Sequence, residues 1–422
     1  MSHSLQLLLL LVLAIAAAKL AGTLAAKIGQ PAVFGEILAG LMLGPTVLNV
    51  LGWQVFTPTS APGATDASLG AVMRDLSGIG VLLLMFVAGL ETDVGEMRRV
   101  GRVAFWSAFG GVVLPLAGGA ATAVVFGFPL YWDGIFIGTI LTATSVSISA
   151  QTLLELGVLR SREGATILGA AVIDDVMGII LLSLVVAFAK ASATGVDVAH
   201  IVAIALRIVV YFALAVFAGR GLPVVLAWAR RLPVSQAMLS VAVMVAMIYA
   251  WTAEYVGGVA AITGAYVAGV LIAQTKFKRE IDQGIHPLAY SIFVPLFFIG
   301  IGLEANGRVL GDQVWFTIAL VAVAIVAKAV GCALFARGFG FTNRESLRVG
   351  VGMISRGEVG LIVAGYGLSN GLIGTDVFSA SVIVVLASTM VTPPLLRMVF
   401  PRHAHVSTSI EETIAHAPYI AD

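Results

Sequence analysis

Residues 167–182 read "ILGAAVIDDVMGIILL", and Asp174 and Asp175 are the only ionisable side chains in that run. Inserting a carboxylate at the centre of a bilayer costs about 2.5–3.5 kcal/mol or more, so an ionisable residue there is a functional hypothesis by default. Adjacent helix residues point about 100° apart. One aspartate can therefore face a cavity while its neighbour faces another helix. Lys328, in "AIVAKAVGC", is the natural partner for one of them. Arg356 and Glu358, in "GMISRGEVGL", lie two apart and could neutralise each other or pair with other helices. Two carboxylates against one lysine leave a net negative site, which is poor scaffolding and attracts a cation. Burial disfavours a charged carboxylate and a nearby cation favours it, so a carboxylate balanced between them can hold either a proton or a metal cation. Carboxylate oxygens joined by hydroxyl and carbonyl oxygens suit a hard ion such as sodium. If the site must be occupied by one or the other before it changes sides, the two ions are exchanged. The competing reading is a set of structural ion pairs that hold a bundle together.

The elements that must carry these residues follow from composition. The 422-residue chain is 59% hydrophobic and 11% charged, with a mean hydropathy of +1.02. Soluble domains carry about 25% charge, so this is an all-α polytopic membrane protein. The net charge of +1 and the lack of any basic, aromatic-interleaved patch argue against nucleic acid as a partner. A single cysteine, Cys332, excludes an internal disulfide and a cysteine-based metal site. None of the six histidines falls mid-span, and no phosphate loop or hydrolase constellation occurs, so neither an enzyme nor a resident cofactor is expected. The N-terminal apolar run has its first lysines, Lys19 and Lys27, after it rather than before it. It reads as a retained first helix and not as a secretory signal.

A span needs about 20 apolar residues. Polar and Gly/Pro punctuation gives thirteen: 4–26, 31–50, 68–90, 101–126, 132–156, 163–189, 197–220, 235–254, 257–273, 286–304, 313–337, 343–369 and 374–399. The stretch 221–231 reads as a loop or as part of the seventh helix. The odd-numbered loops and the tail, with the span ends that adjoin them, hold 18 of the 24 lysines and arginines, while the even loops hold only Lys190 and Arg308. The positive-inside rule then puts the N-terminus outside and the C-terminus in the cytoplasm.

An internal repeat is visible. "FGEILAGLML" (34–43) resembles "TGAYVAGVLI" (263–272), and "VLLLMFVAGLE" (81–91) resembles "VPLFFIGIGLE" (294–304). Both pairs are seven spans apart, and an odd offset inverts one unit relative to the other, as in many secondary transporters. The same offset pairs the fifth span, with "LTATSVSISA", and the twelfth, with "GMISRGEVGL". Hydroxyl side chains compete for backbone hydrogen bonds and glycine loosens the backbone. Both spans are therefore expected to be interrupted, which at that depth requires burial in protein or a polar cavity. Asp175 lies 12 residues beyond Glu163, Arg356 12 beyond Arg344, Thr144 12 beyond Trp132, and Lys328 9 short of Arg337. At 1.5 Å per residue these offsets are about 14–18 Å, close to half the hydrocarbon thickness. The charges and the expected breaks share one level.

The segments "PAVFGEILAGLMLGP", "TATSVSISA", "GAAVIDDVMG", "VAKAVG" and "SRGEVGLIV" together resemble the monovalent cation/proton antiporters, in particular the bacterial NapA-like sodium/proton branch. The resemblance runs from about residue 5 to residue 400. It implies inverted repeats with two crossed, broken helices, a homodimer in the inner membrane, and elevator-type movement of a core (68–190 and 286–399) against a dimerisation scaffold (1–60 and 197–280). It implies that Asp175 is the principal carrier of Na+ and H+ and that Asp174 pairs with Lys328 when no ion is bound. It implies further that Thr142, Thr144 and Ser145 line the first crossing, and Arg356 and Glu358 the second. The double aspartate resembles the electrogenic members. The short polar tail 401–422 takes no role and has no room for the nucleotide-binding domain of potassium-efflux relatives.

Three transport readings remain: Na+ (or Li+)/H+ antiport, K+/H+ antiport on the same scaffold, and cation-coupled symport of an organic solute, which would want a larger cavity. A channel is disfavoured by the lack of a filter-like pore loop.

Overall fold

A computed structural model of the chain describes residues 2–28, 30–45, 47–56, 68–194, 198–304, 313–369 and 371–400. The tail 401–422, Arg308 and the side chains of Glu358 and Lys190 lie outside the described residues. Among the described residues there is no strand, and the α-helices in chain order are α1 (His3–Lys27), α2 (Ala32–Leu43), α3 (Leu69–Glu91), α4 (Val94–Val125), α5 (Ile135–Thr142), α6 (Val146–Glu155), α7 (Arg162–Thr194), α8 (Val198–Gly219), α9 (Leu222–Ala229), α10 (Ala237–Thr252), α11 (Ala261–Ala273), α12 (Lys278–Leu288), α13 (Val294–Glu304), α14 (Val314–Gly338), α15 (Asn343–Gly352), α16 (Glu358–Ser369) and α17 (Thr375–Val399). Among the described residues ten stretches are long and apolar enough to cross a membrane, and α2 and α11 are shorter apolar helices. The fifth expected span is α5 followed by α6, and the twelfth is α15 followed by α16.

Several boundaries differ from expectation; the fourth span, for one, begins at Val94 and not at residue 101, so that Arg98 and Arg99, expected in a loop, lie on α4. Residues 221–231 are neither loop nor a continuation of the seventh span. They hold the separate helix α9, which starts after Gly221 with Pro223 in its first turn, where a missing N–H does no harm. The second span ends at Leu43 instead of residue 50, because Gly44 is extended (φ −70°, ψ 179°) and Pro45 follows. The tenth begins earlier than residue 286. Lys278 and Arg279, expected in a loop, lie on α12, which runs through a wide turn at Ala289–Phe293 into α13.

The closest backbone approaches follow the sequence repeat. Aligning 34–43 with 263–272 makes Gly35 the counterpart of Gly264 and Gly40 that of Gly269. Aligning 81–91 with 294–304 makes Gly89 the counterpart of Gly302. A Cβ on Gly40 or Gly302 would run into the backbone of the other's helix, so α2 presses on α13. Gly89 and Gly269 meet in the same way, pressing α3 on α11. Gly35 abuts Ala21 of α1, and Gly264 abuts Tyr249 of α10. Each contact in one unit thus has its counterpart in the other. Gly110 of α4 and Gly331 of α14 also lie backbone to backbone. Small residues at these crossings allow the tight van der Waals packing on which helix association in lipid depends.

Candidate functional site

The two interrupted helices cross each other at their breaks. α5 stops at Thr142, and extended residues Ala143 (φ −56°, ψ 138°) and Ser145 (φ −100°, ψ 105°) lead into α6. α15 stops at Gly352, and residues 353–357 separate it from α16. The strands of irregular backbone satisfy each other: Ser145 N–H donates to Ser355 O at 2.8 Å, and Ser355 Oγ donates to Ser145 O at 2.7 Å. Ser149 Oγ donates to Gly352 O at 2.5 Å and lies 2.9 Å from Ser355 Oγ. The hydroxyl residues that argued against continuous helix therefore replace helical hydrogen bonds across the crossing. Gly357 is required there, since a Cβ would sit 2.7 Å from Ser145 Oγ.

α7 and α14 bring the aspartates and the lysine to this crossing. Lys328 Nζ donates to Asp174 Oδ1 at 2.9 Å and to Thr142 O at 2.5 Å. Both side chains are closed off from solvent, at 0% and 2% exposure. Asp175 points another way, as the 100° helical increment requires. Its Oδ2 accepts a hydrogen bond at 3.2 Å from Thr263 Oγ1 of α11. Asp174, Asp175, Thr142, Thr139 and Gly178 share the wall of a cavity of about 40 Å³. That is space for a water or two, or for one small ion, given the ~30 Å³ share of a water in the liquid. The Thr144 hydroxyl is buried close to Asp174 without hydrogen-bond geometry, which leaves an oxygen able to turn toward an occupant. The Thr142 hydroxyl is engaged by Thr139 O at 2.8 Å, so Thr142 presents its carbonyl. The Ser145 hydroxyl lies 3.0 Å from Ser147 Oγ.

Arg356 is completely buried. It donates to Ile354 O at 3.0 Å, to Leu141 O at 2.7 Å and to Ala324 O at 2.9 Å, and Thr389 Oγ1 donates to its carbonyl. Its guanidinium ties carbonyls from both breaks and from α14. Glu358 begins α16.

Sequence reasoning missed Thr263. Its signal is a hydroxyl at the head of the repeat segment "TGAYVAGVLI", where the glycines carry the repeat and nothing in the spacing shows that the threonine faces α7. Ser149 and Ser355 were visible only as helix-breaking composition, because their pairing requires the crossing geometry.

Two clefts flank the crossing. One, of about 650 Å³, lies between α4 and α7 on one wall and α8 and α11 on the other, with Val172, Ile173, Phe212 and Tyr266 along it and Arg98 and Arg220 near its mouth. The other, of about 200 Å³, lies between α3 and α13 on one wall and α16 and α17 on the other, and includes Ser77, Gly300 and Gly357.

The sequence pattern described as sodium/hydrogen exchanger, transmembrane, matches residues 12–400. The Na(+)/H(+)-K(+) antiporter GerN of Bacillus cereus is 41% identical over 383 residues, covering 90% of this chain and 93% of that protein. A Na(+)/H(+) antiporter of Enterococcus hirae is 32% identical, with 92% and 96% covered. Among solved structures, the sodium proton antiporter MjNhaP1 from Methanocaldococcus jannaschii superposes with a TM-score of 0.67 over 94% of this chain and 97% of that one, at 15% identity, and so shares the fold.

Proposed function

The chain belongs to the sodium/hydrogen exchanger family, and on that premise we propose that it exchanges Na+, or Li+, for H+ across a bacterial inner membrane, with Asp175 as the shared binding group. The observation that carries the reading is the small cavity that both aspartates line while Lys328 is bonded to Asp174. A cation entering that cavity meets the Asp175 carboxylate, the Thr142 oxygens and, once it separates from Lys328, Asp174. A proton on Asp175 occupies the same oxygen pair, so the two ions exclude each other. With two carboxylates against one lysine, more than one proton can leave per cation bound, which makes the exchange electrogenic.

The proposed movement slides a core of α4–α7 and α14–α17 along a scaffold of α1–α3 and α8–α13. This division moves α3 and α13 from the core, where the sequence reading put 68–90 and 286–304, to the scaffold. The close approaches of Gly89 to α11 and of Gly302 to α2 support the change. The two clefts then lie along the sliding boundary, and the Thr263–Asp175 hydrogen bond crosses it. The loop charges orient the larger cleft toward the cytoplasm, so this conformation is inward-open. Exposed apolar side chains along α1, α8 and α10, such as Leu8, Leu206 and Ile248, face lipid or the second copy of a homodimer. K+/H+ exchange is the second reading, favoured by the relative whose name includes K(+).

The test is exchange in proteoliposomes with a pH-sensitive dye in the lumen. An outward Na+ gradient should drive H+ inward, and Asp175→Asn should abolish the flux while the protein elutes and melts as the parent does. Retained Na+-driven H+ flux in Asp175→Asn overturns the site assignment. Equal rates with K+ and Na+ favour the second reading.

A further inference from the structure

Away from the crossing, three potential metal ligands converge where α3 ends beside α12. Glu91 is the last residue of α3, and Asp282 and His286 lie one turn apart on α12. The i, i+4 spacing puts the latter two on one helix face. His286 Nε2 lies 3.3 Å from Asp282 Oδ1 and 3.8 Å from Glu91 Oε1. One donor atom from each of the three lies within 4.8 Å of the others. Around a tetrahedral ion with bonds of 2.0–2.2 Å, neighbouring donors are about 3.3–3.6 Å apart. The two separations lie at the lower edge of that range and just above it, and the Glu91–Asp282 pair lies within 4.8 Å.

Further observations point to an occupant. Asp282 Oδ1 is shielded from solvent and makes no hydrogen bond of good geometry, its nearest ionisable contact being His286 Nε2 at 3.3 Å. The His286 ring is stacked on Tyr290 at 5.3 Å and 12°, which fixes its plane. Glu91 is held from behind: Arg160 lies 3.0 Å from Oε2 and donates from Nε to the Glu91 carbonyl at 3.2 Å. Oε1 is thereby left facing the imidazole. Such outer partners orient metal ligands and set their affinity. The three side chains are 22–36% exposed, so an ion can reach them without the protein opening.

The geometry points to a binding site for a divalent transition-metal ion at Glu91, Asp282 and His286. One imidazole and two carboxylates are nitrogen and oxygen donors of the kind zinc and cobalt accept, with water completing the shell. The ion is not the transported one, since these residues lie outside the cavity lined by Asp174 and Asp175. Occupancy would fasten the end of α3 to α12 while Glu91 keeps its grip on Arg160, in the connection between α6 and α7. The site stands independently of the proposed exchange reaction. A protonated imidazole could satisfy the same two carboxylates, and metal binding decides between the two.

The experiment uses full-length protein in detergent with its purification tag cleaved. His403 and His405, in the tail sequence "HAH", are changed to alanine in the reference protein so that they do not bind metal themselves. Calorimetric titration with Zn2+ should show one site per chain, and Co2+ should give visible d–d absorption that Zn2+ bleaches. His286→Ala and Glu91→Gln should each weaken binding by at least the ~10- to 100-fold cost typical of disturbing even an outer partner. No zinc uptake by the reference protein overturns the site, as does binding that both variants leave unchanged. If His286→Ala does not fold, X-ray absorption of zinc bound to the reference protein decides: one imidazole in the shell is expected, and none overturns the site.

Discussion

Replacing Lys328 with alanine tests the centre of the structure most directly. The ammonium is fully buried and makes two bonds, to Asp174 Oδ1 and to Thr142 O. Its loss leaves a buried carboxylate without its cation and a carbonyl at the end of α5 without its donor. Removing one partner of a buried ion pair costs about 3–5 kcal/mol. At about 2.1 cal/mol/K per residue, a chain of 422 residues has an unfolding entropy of about 0.9 kcal/mol/K. The expected fall in melting midpoint is therefore about 3–6 °C, read by intrinsic fluorescence on purified protein in sodium-free buffer. Asp174→Asn should recover part of the loss, because the carboxylate it removes is the one left unpaired. In a double-mutant cycle the two single losses should exceed the double by about 1.5 kcal/mol or more, close to 2 °C on the same scale. A Lys328→Ala midpoint within about 1 °C of the parent would refute the pairing, and so would strict additivity of the two substitutions.

Arg356→Ala should be at least as damaging as Lys328→Ala, since it strips donors from three carbonyls at once. Arg356→Lys should recover little in a melting assay, because a point charge cannot reproduce the planar fork. Thr263→Val should raise the KM for sodium about tenfold or more with Thr263→Ser near the parent, as a hydrogen bond to a charged group is worth about 1.5–3 kcal/mol; an unchanged KM would remove Thr263 from the site. Gly302→Ala, whose Cβ would strike the backbone of α2, should cost about 1–3 kcal/mol or more. Gly78→Ala, with nothing within 4 Å of the added carbon, should gain about 0.5–1 kcal/mol from its position within α3. Melting midpoints that rank these two glycines the other way would contradict the packing.

Much of this arrangement is legible in the sequence. Asp174 and Asp175 were conspicuous because charge in an apolar run has a known cost, and Lys328 because it was the one amine at the same depth. The breaks were legible because "TATSVSISA" and "MISRGEV" are poor helix formers, and the inverted offset because two segments repeated it. What stayed hidden depends on direction. Arg356 sits two residues from Glu358 in sequence, yet its guanidinium reaches across to Leu141 and Ala324, contacts that spacing along one helix cannot reveal. Thr142 could be singled out by type, but not the fact that its hydroxyl turns to Thr139 while its carbonyl holds the lysine. Thr263 approaches from another helix altogether. The separate helix α9 was ambiguous because eight apolar residues after a glycine fit helix and loop equally well.

The two buried cations do different work because of the carbonyls they hold. A helix that stops inside the membrane exposes unpaired carbonyls and the negative end of its dipole. α5 does so at Leu141 and Thr142, and the backbone leaving α15 does so at Ile354. Arg356 takes Leu141 O and Ile354 O together, while Lys328 takes Thr142 O. Both cations thus stabilise the break in an apolar interior. Arg356 donates to three backbone carbonyls, Ala324 O being the third, so none of these bonds depends on a carboxylate of the proposed ion site. Lys328 divides its donors between a carbonyl and Asp174. If a cation draws Asp174 away, as the proposed exchange requires, the ammonium keeps Thr142 O and is not left bare. In the proposed exchange that second anchor would lower the cost of separating the buried ion pair, and so let a cation compete for a carboxylate that would otherwise be held too firmly to exchange.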